Sequence, residues 1–215
     1  MYEILKRITD ILAAIFVIIL FSPLLLVIAI AIPLDSTGPI IYKQRRVGKD
    51  GKIFFIWKFR SMYDQAENLL LKDKEFMKNL KKKEGWKLEA DQDPRITRVG
   101  RFTRKYSLDE LPNLWNILNG DMSIVGPRAY RNDDIFGDEM AQQLKFYPGL
   151  EKELKIALSV KPGLTGPWQT GGRNKITWDK RVKLDAEYAK NKSILSIWRD
   201  FLIVLKTPFA MFNKW

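Results

Sequence analysis

The sequence predicts a helix-rich α/β protein with few short strands, associated with a membrane through a re-entrant N-terminal helix hairpin and interfacial amphipathic helices. Three observations support this fold class. The segment from Ile11 to Ile32 contains no charged residue. Strand-like runs flank a single turn signal at Lys49-Asp50-Gly51, whereas apolar residues elsewhere recur mainly at helical spacing. The chain has 215 residues and a formal net charge of +12, which predicts one sizeable core and a negatively charged partner.

The composition limits the chemistry that the chain can perform. It contains neither cysteine nor histidine. This excludes Cys or His nucleophiles, Ser-His triads, zinc sites built on thiolate or imidazole, and disulfide bonds. Any catalysis would use carboxylates, Lys, Tyr, Ser or Thr, together with a metal ion that prefers oxygen ligands.

The apolar N-terminal segment is long enough, at about 33 Å as a helix, to cross a bilayer core as a straight span. Ser22-Pro23 favours a different path, because a proline at this point removes a backbone hydrogen bond and clashes with the carbonyl of Ile19. We expect a helix that enters the membrane, bends at Ser22 and Pro23, and leaves by the same face. The predicted domains are this hairpin over residues 1–35 and a cytosolic domain over residues 36–215.

Basic residues on both sides of the apolar run support the hairpin. Lys6 and Arg7 precede the run, and four cations follow it, namely Lys43, Arg45, Arg46 and Lys49. A straight span would place one of these clusters outside the cell, whereas the hairpin keeps both in the cytoplasm.

Two short strands are predicted around the turn at Lys49-Asp50-Gly51. The second ends in Lys58-Phe59-Arg60-Ser61-Met62, which is also typical of a basic strand edge over a core or a membrane surface. An amphipathic helix is predicted from Asp64 to Leu80, and a loop from Gly85 to Pro94.

Arginine recurs at every third position after this loop, at Arg95, Arg98, Arg101 and Arg104. At helical spacing these residues form a cationic stripe opposite Ile96, Val99 and Phe102. Such a stripe could follow a nucleic-acid backbone. No nucleic-acid-binding motif accompanies it and a carboxylate pair follows, so we expect no nucleic-acid partner.

The stretch from Ser107 to Arg128 carries that carboxylate pair, Asp109 and Glu110, at a predicted helix start between arginines. A helix start and guanidinium groups attract anions, and a carboxylate can attack phosphorus or hold a metal, so the pattern indicates phosphoryl chemistry. A structural alternative is a capping box from Ser107 to Glu110, with Pro112 in the first helical turn if Asp109 is the cap. Both readings place Asp109 at the N-terminus of a helix that buries four apolar side chains, Leu111, Leu114, Trp115 and Leu118.

Six motifs together resemble, in the same order and over nearly the whole length, the monotopic phosphoglycosyl transferases. This is the bacterial sugar transferase family that starts glycan assembly on polyprenyl phosphate, and the chain is similar to its minimal catalytic form. The motifs are Ser22-Pro23, Lys58-Phe59-Arg60-Ser61-Met62, Asp93-Pro94-Arg95-Ile96-Thr97-Arg98-Val99-Gly100, Ser107-Leu108-Asp109-Glu110-Leu111-Pro112, Gly120-Asp121-Met122-Ser123-Ile124-Val125-Gly126-Pro127-Arg128 and Lys161-Pro162-Gly163-Leu164-Thr165-Gly166.

The resemblance implies a two-step covalent reaction at the cytosolic face of the bacterial inner membrane. Asp109 would attack the β-phosphate of a UDP-sugar, expel UMP and hold the sugar phosphate until polyprenyl phosphate accepts it. For Glu110, metal ligation, general base catalysis and capping stay open. Mg²⁺ held by Asp109 and Glu110 would offset the charge of the diphosphate, and four cations would bind substrate, namely Lys58, Arg104, Arg128 and Arg173. A homo-oligomer is compatible with the sequence.

Two departures from the family pattern affect these assignments. Ala129 stands where the family usually continues Gly-Pro-Arg with another proline, and the stretch from Trp168 to Arg173 contains an additional glycine in place of a serine. The alternative function is therefore a non-catalytic membrane-surface module that binds nucleotide sugars or anionic lipid.

The segment from Ser193 to Trp215 is predicted to be an amphipathic helix that is too charged to span a membrane. It would lie in the headgroup layer, with its tryptophans at the interface. Packing of its apolar face against the domain core is the alternative.

Overall fold

Helices dominate the part of the chain that the structure, a computed structural model, describes, which comprises residues 1–64, 66, 93–133, 137–170 and 176–212. The helix predicted from Asp64 to Leu80 and the candidate Arg173 lie, apart from residues 64 and 66, outside these residues. The helices are α1 (Tyr2–Asp35), α2 (Arg98–Lys105), α3 (Asn113–Asn119), α4 (Glu139–Phe146), α5 (Glu151–Ala157), α6 (Pro167–Thr170), α7 (Trp178–Lys190) and α8 (Ile194–Phe212).

The strands are short, as the sequence predicts. They are β1 (Ile41–Val47), β2 (Ile53–Phe59), β3 (Ser123–Val125), β4 (Tyr130–Asp133), β5 (Gly137–Asp138) and β6 (Gly163–Thr165). One sheet has the order β2-β1-β4-β5, in which β1 and β4 are antiparallel with Arg46 opposite Arg131, and β3 pairs in parallel with β6. The predicted turn joins β1 to β2, with positive φ values of 55° at Asp50 and 77° at Gly51. The helix-rich α/β class with few short strands is confirmed.

The chain forms two compact units. The larger unit comprises Met1–Phe21, Lys43–Trp57 and Pro112–Trp215, and the smaller unit comprises Ser22–Tyr42 and Lys58–Leu111. In the larger unit, α7 packs against α5 around a buried cluster of Tyr130, Leu150, Leu154, Trp178 and Val182. In the smaller unit, the core is formed by Ile28, Ile32 and Phe59. The predicted division at residue 35 depends on where the lipid lies and stays a prediction.

α1 is the one helix among the described residues that is long and apolar enough to cross a membrane. Its apolar side chains are largely exposed, including Phe16 at 65% and Leu26 at 63%, a pattern consistent with membrane association. The helix continues through Ser22 and Pro23 as far as Asp35. The predicted bend does not end the helix, and the re-entrant path stays a prediction.

α8 exposes most of its apolar residues and buries two polar ones, although Ile203 packs in the core with Val125 and Tyr188. Trp198 is 67% exposed and Leu195 is 81% exposed, whereas Ser196 and Asp200 are each 5% exposed. Asp200 is held by Lys6 at 3.0 Å and by the Tyr188 hydroxyl at 3.1 Å. Packing of the apolar face against the core, the alternative considered from the sequence, is therefore wrong for these residues.

Candidate active site

Asp109 lies in a 3₁₀ turn, Leu108–Glu110, that precedes α3. The prediction that Asp109 caps or begins the following helix is wrong, because that helix starts at Asn113 with Pro112 as its N-cap. The turn is closed separately by the Leu111 amide, which donates to the Leu108 carbonyl at 3.2 Å. Pro112 suits the restart because a helix requires no amide donor in its first turn.

Ser107 enters this turn with left-handed backbone angles, φ 54° and ψ 24°, and its side chain caps nothing. The predicted capping box from Ser107 is therefore wrong. A left-handed conformation is unfavourable for a non-glycine residue, and such strain persists where the surroundings over-determine the backbone. Asp109 follows two residues later with only 8% of its surface exposed. The strained turn thus presents a buried carboxylate.

The side chain of Leu108, immediately before Asp109, packs against the core of the smaller unit. That core contains Ile28 and Ile32 of α1 and Phe59 of β2. The second half of the apolar helix and the carboxylate-bearing turn are therefore parts of one packed body. Any membrane contact of α1 in this region holds Asp109 near the same surface.

The structure brings Lys58 and Glu110 into contact. The sequence predicts that both residues belong to the substrate site, but it does not predict this ion pair. The Lys58 Nζ atom donates to Glu110 Oε1 at 2.8 Å, with the two side chains 19% and 40% exposed. The Lys58 ammonium group therefore contacts the residue that directly follows Asp109 in the chain. Such a cation next to a carboxylate pair can reduce the repulsion of an approaching phosphate.

The remaining residues of the Lys58–Met62 motif organise the smaller unit. The Arg60 guanidinium donates to the carbonyls of Ser36, at 2.7 Å, and Thr37, just after α1. Gly100 of α2 lies so close to the Ser61 carbonyl that a Cβ atom there would be 2.0 Å from the oxygen. The structural reading of this motif as a strand edge is incomplete, because it also anchors the end of α1 and the start of α2.

α2 carries Arg104 in its last turn and packs against the 3₁₀ turn. Thr97 caps the helix by accepting a hydrogen bond from the Gly100 amide at 2.9 Å. Arg95 precedes the helix and pairs with Asp93 at 2.6 Å, so the predicted four-arginine stripe is reduced to three. Phe102 is 53% exposed, so the predicted apolar face is wrong at that position.

The face of α3 also differs from the prediction. Trp115, predicted to be buried, is 48% exposed, whereas Asn116 is 1% exposed. The Asn116 side chain accepts from the Trp57 amide at 3.0 Å and donates to the Phe55 carbonyl at 2.7 Å. Asn116 therefore fixes α3 to the end of β2. Only its position between Leu114 and Ile117 in a helical segment could have indicated its burial.

Arg128 belongs to the larger unit and follows β3. Its amide donates to Asp185 Oδ2 at 3.2 Å, and its guanidinium lies 5.8 Å from the centre of the Trp168 ring. Asp185 is completely buried. Burial raises the pKa of Asp185 to about 7, against the opposing effect of the Arg128 hydrogen bond. Sequence reasoning missed Asp185, which carries no motif signal.

Glu139 is a second carboxylate in the surroundings of Arg128. Burial acts to raise its pKa, but the positive charges of Arg128 and Arg46 together hold this pKa below the usual value. The Arg46 guanidinium also donates to the carbonyl of Ala129 at 3.1 Å. Arg46 therefore tethers the backbone at the position where the family's usual proline is replaced.

Asp109 and Glu110 are the residues that would hold Mg²⁺. Among the described residues, no group of three or more acidic side chains converges on a common point. Mg²⁺ is commonly bound through one or two carboxylates, with water and substrate phosphates completing its shell. Binding of Mg²⁺ by this pair, with a substrate diphosphate completing the shell, stays a prediction.

Comparison with known proteins identifies one family. The model of the family described as "Bacterial sugar transferase" matches residues 1–214. The undecaprenyl-phosphate galactose phosphotransferase of Salmonella typhimurium is 41% identical over 98% of this chain and 41% of its own length. The exopolysaccharide production protein ExoY of Rhizobium meliloti is 38% identical over 94% of this chain and 83% of its own length. The UDP-glucose:undecaprenyl-phosphate glucose-1-phosphate transferase of Escherichia coli is 39% identical over 99% of this chain. The chain spans about two fifths of the length of several curated relatives it matches.

Proposed function

The chain belongs to the bacterial sugar transferase family, and from that premise we propose that it transfers a sugar phosphate from a UDP-sugar to undecaprenyl phosphate and so starts bacterial glycan assembly. The names of two relatives specify a UDP-sugar donor and an undecaprenyl-phosphate acceptor. The observation that carries the proposal is the buried Asp109 beside Glu110, on a turn packed against the apolar helix α1. That arrangement suits a reaction between a soluble donor and a lipid acceptor.

The proposed reaction has two displacements at one phosphorus atom. In the first, an Asp109 carboxylate oxygen bonds to the β-phosphorus of the donor, and the bond from that phosphorus to the bridging oxygen breaks. UMP leaves with the bridging oxygen, and the sugar phosphate stays on Asp109 as an acyl phosphate. In the second, a phosphate oxygen of the acceptor bonds to the same phosphorus, and the Asp109–phosphorus bond breaks. The carboxylate is regenerated and the product is a polyprenyl diphosphate sugar.

The cations predicted to bind substrate would make this attack electrostatically feasible. Lys58, 2.8 Å from Glu110, would offset the repulsion between Asp109 and the diphosphate. Arg104 would do the same from the end of α2, and Arg128 and Arg173 would bind the donor. When bound, Mg²⁺ supplies charge neutralisation for the diphosphate and the leaving UMP. Glu110, already paired with Lys58, would hold that ammonium in place and share in metal ligation.

We further propose that α1 is re-entrant and bends at Ser22 and Pro23, so that the protein lies at the cytosolic face of the bacterial inner membrane. Basic clusters on both sides of the apolar run support this, as does the exposed apolar face of α8. Tags on both termini test the path. Both tags are expected to be accessible only from the cytoplasm, and termini on opposite sides would exclude the hairpin.

The function is tested by product identity. The purified protein is incubated with Mg²⁺, undecaprenyl phosphate and a panel of UDP-sugars, and the released nucleotide is identified by chromatography. We expect UMP, because the bond that breaks lies between the two phosphates. Release of UDP would indicate direct sugar transfer and contradict the proposal. Donor binding without release of either nucleotide would favour the alternative, a non-catalytic membrane-surface module.

A further inference from the structure

A basic pocket lies in the larger unit beside the first turns of α1. Its lining contains five cations and two acidic residues, Glu3 and Asp10. The cations are Lys6, Arg7, Lys49, Lys161 and Lys192. None of the five has a part in the proposed transfer reaction. The excess of positive charge in a concave site indicates an anionic ligand.

Three of the five cations have partners within the protein. Lys6 pairs with Asp10 at 2.9 Å and with Asp200 at 3.0 Å. Lys192 lies 3.9 Å from Glu3. Arg7 donates to the carbonyls of Ile117 and Leu118, which end α3. Lys6 is thus paired with two carboxylates and Lys192 loosely with one, whereas Arg7 contacts two backbone carbonyl groups.

Lys161 and Lys49 differ from these three. Over the residues that the structure describes, neither ammonium group forms a hydrogen bond or an ion pair within 4.0 Å of a carboxylate. Lys161 instead lies beside Arg7: a Cβ atom at Gly120 would be 3.5 Å from Lys161 Nζ and 3.6 Å from an Arg7 nitrogen. Partial burial, followed by the like charge of Arg7, lowers the pKa of Lys161. Two adjacent cations of this kind are stabilised when an anion bridges them.

The backbone holds Lys161 in this position firmly. On one side of β6, the Ser123 amide donates to the Pro162 carbonyl and the Gly163 amide to the Pro127 carbonyl, both at 2.8 Å. The strands approach so closely that a Cβ atom at Gly163 would lie 2.1 Å from the Gly126 nitrogen. The Lys161–Gly166 motif therefore presents its lysine from a rigid strand pair, as a preformed binding site requires.

We propose that this pocket binds a phosphate group between Lys161 and Arg7, with Lys49 at its edge. A guanidinium and an ammonium group that converge in this way match the charge and the acceptor oxygens of a phosphate ester. The ester is either the headgroup of an anionic phospholipid beside α1 or a small soluble phosphate. The site goes beyond the proposed transfer reaction, since it uses neither Asp109 nor Glu110.

Two probes distinguish the sources of the phosphate. The full chain in neutral detergent is titrated by calorimetry with inorganic phosphate and, separately, with dihexanoyl phosphatidylglycerol, and neutral dihexanoyl phosphatidylcholine serves as the reference. Binding of phosphatidylglycerol alone identifies a lipid headgroup site, and binding of inorganic phosphate identifies a site for soluble phosphates. Either result supports the proposal if the variants described below weaken the binding of that probe.

The variants are Lys161→Gln and Lys49→Gln, with Lys152→Gln on an exposed turn of α5 as the control of equal charge change. We expect Lys161→Gln to weaken binding about tenfold, since it removes one charge-assisted hydrogen bond, and Lys49→Gln to weaken it less. Lys49 is exposed, so its variant tests the site even if Lys161→Gln lowers the melting temperature. Equal binding by wild type and both pocket variants, or no anionic probe bound above the reference, would overturn the proposal. If the proposed transfer reaction at Asp109 did not occur, binding of phosphate to this pocket would still be expected.

Discussion

Replacement of Asp185 by asparagine is expected to change how stability depends on pH. The Asp185 side chain is completely buried and accepts a hydrogen bond from the Arg128 amide at 3.2 Å. Burial raises its pKa to about 7, from the ordinary value of 3.8. Between these two values the folded protein holds a proton that the unfolded chain has released. The contribution of Asp185 to stability is therefore present below pH 4 and is lost as the pH rises through 7.

The size of the effect follows from the shift. Each unit of pKa difference corresponds to about 1.4 kcal/mol, so the contribution of Asp185 falls by about 3 kcal/mol between pH 5 and pH 8. For a chain of this length, that loss corresponds to a decrease in melting temperature on the order of 5–10 °C. Asparagine has the same shape, stays neutral and can still accept from Arg128. Asp185→Asn should therefore lack this part of the decrease.

The assay is thermal unfolding in neutral detergent at pH 5, 6, 7 and 8. Glu187→Gln, an exposed substitution on the same helix, is the control for the charge change. The control and the wild type should lose stability in parallel, and Asp185→Asn should become the most stable of the three at pH 8. Parallel pH profiles for wild type and Asp185→Asn would refute the reasoning, because Asp185 would then be ionised in the folded protein throughout.

Three further outcomes are expected. Asn116→Leu should lower the free energy of unfolding by about 2 kcal/mol, because the Trp57 amide and the Phe55 carbonyl lose their hydrogen-bond partner. Its melting temperature should fall, whereas the exposed control Asn119→Leu should leave the melting temperature unchanged. Lys58→Met should cost less than about 1 kcal/mol of stability, because its ion pair with Glu110 is partly exposed, yet lower UMP formation about a hundredfold; equal activity would contradict its role. EDTA should abolish UMP formation without lowering the melting temperature of the substrate-free protein, and activity in EDTA would exclude the metal.

The sequence predicted those features that depend on local pattern. The apolar run gives α1, the Lys49-Asp50-Gly51 signal gives a turn with positive φ at Asp50 and Gly51, and the six ordered motifs indicate the family that the comparisons show. The interfacial position predicted for the C-terminal segment stays a prediction, which the exposed apolar side chains of α8 support. In each case, neighbouring residues alone determine the physical property.

Features that depend on distant contacts were not predictable in this way. The helical pattern around Trp115 identified α3, but Asn116 is buried because its amide pairs with the backbone of β2, almost 60 residues earlier. The left-handed Ser107 leads from α2 into the Asp109 turn, and serine has no intrinsic preference for that conformation. No sequence motif marks Asp185, and its hydrogen bond with the Arg128 amide forms between residues 57 positions apart.

The most direct test of the central claim is the intact mass of the protein after incubation with a UDP-sugar and Mg²⁺ in the absence of the acceptor. Wild type and the exposed control Asp121→Asn should gain the mass of one sugar phosphate, which undecaprenyl phosphate then removes. Asp109→Asn should gain nothing and should release no UMP. An adduct that persists in Asp109→Asn, or UMP released by that variant at the wild-type rate, would contradict Asp109 as the covalent nucleophile.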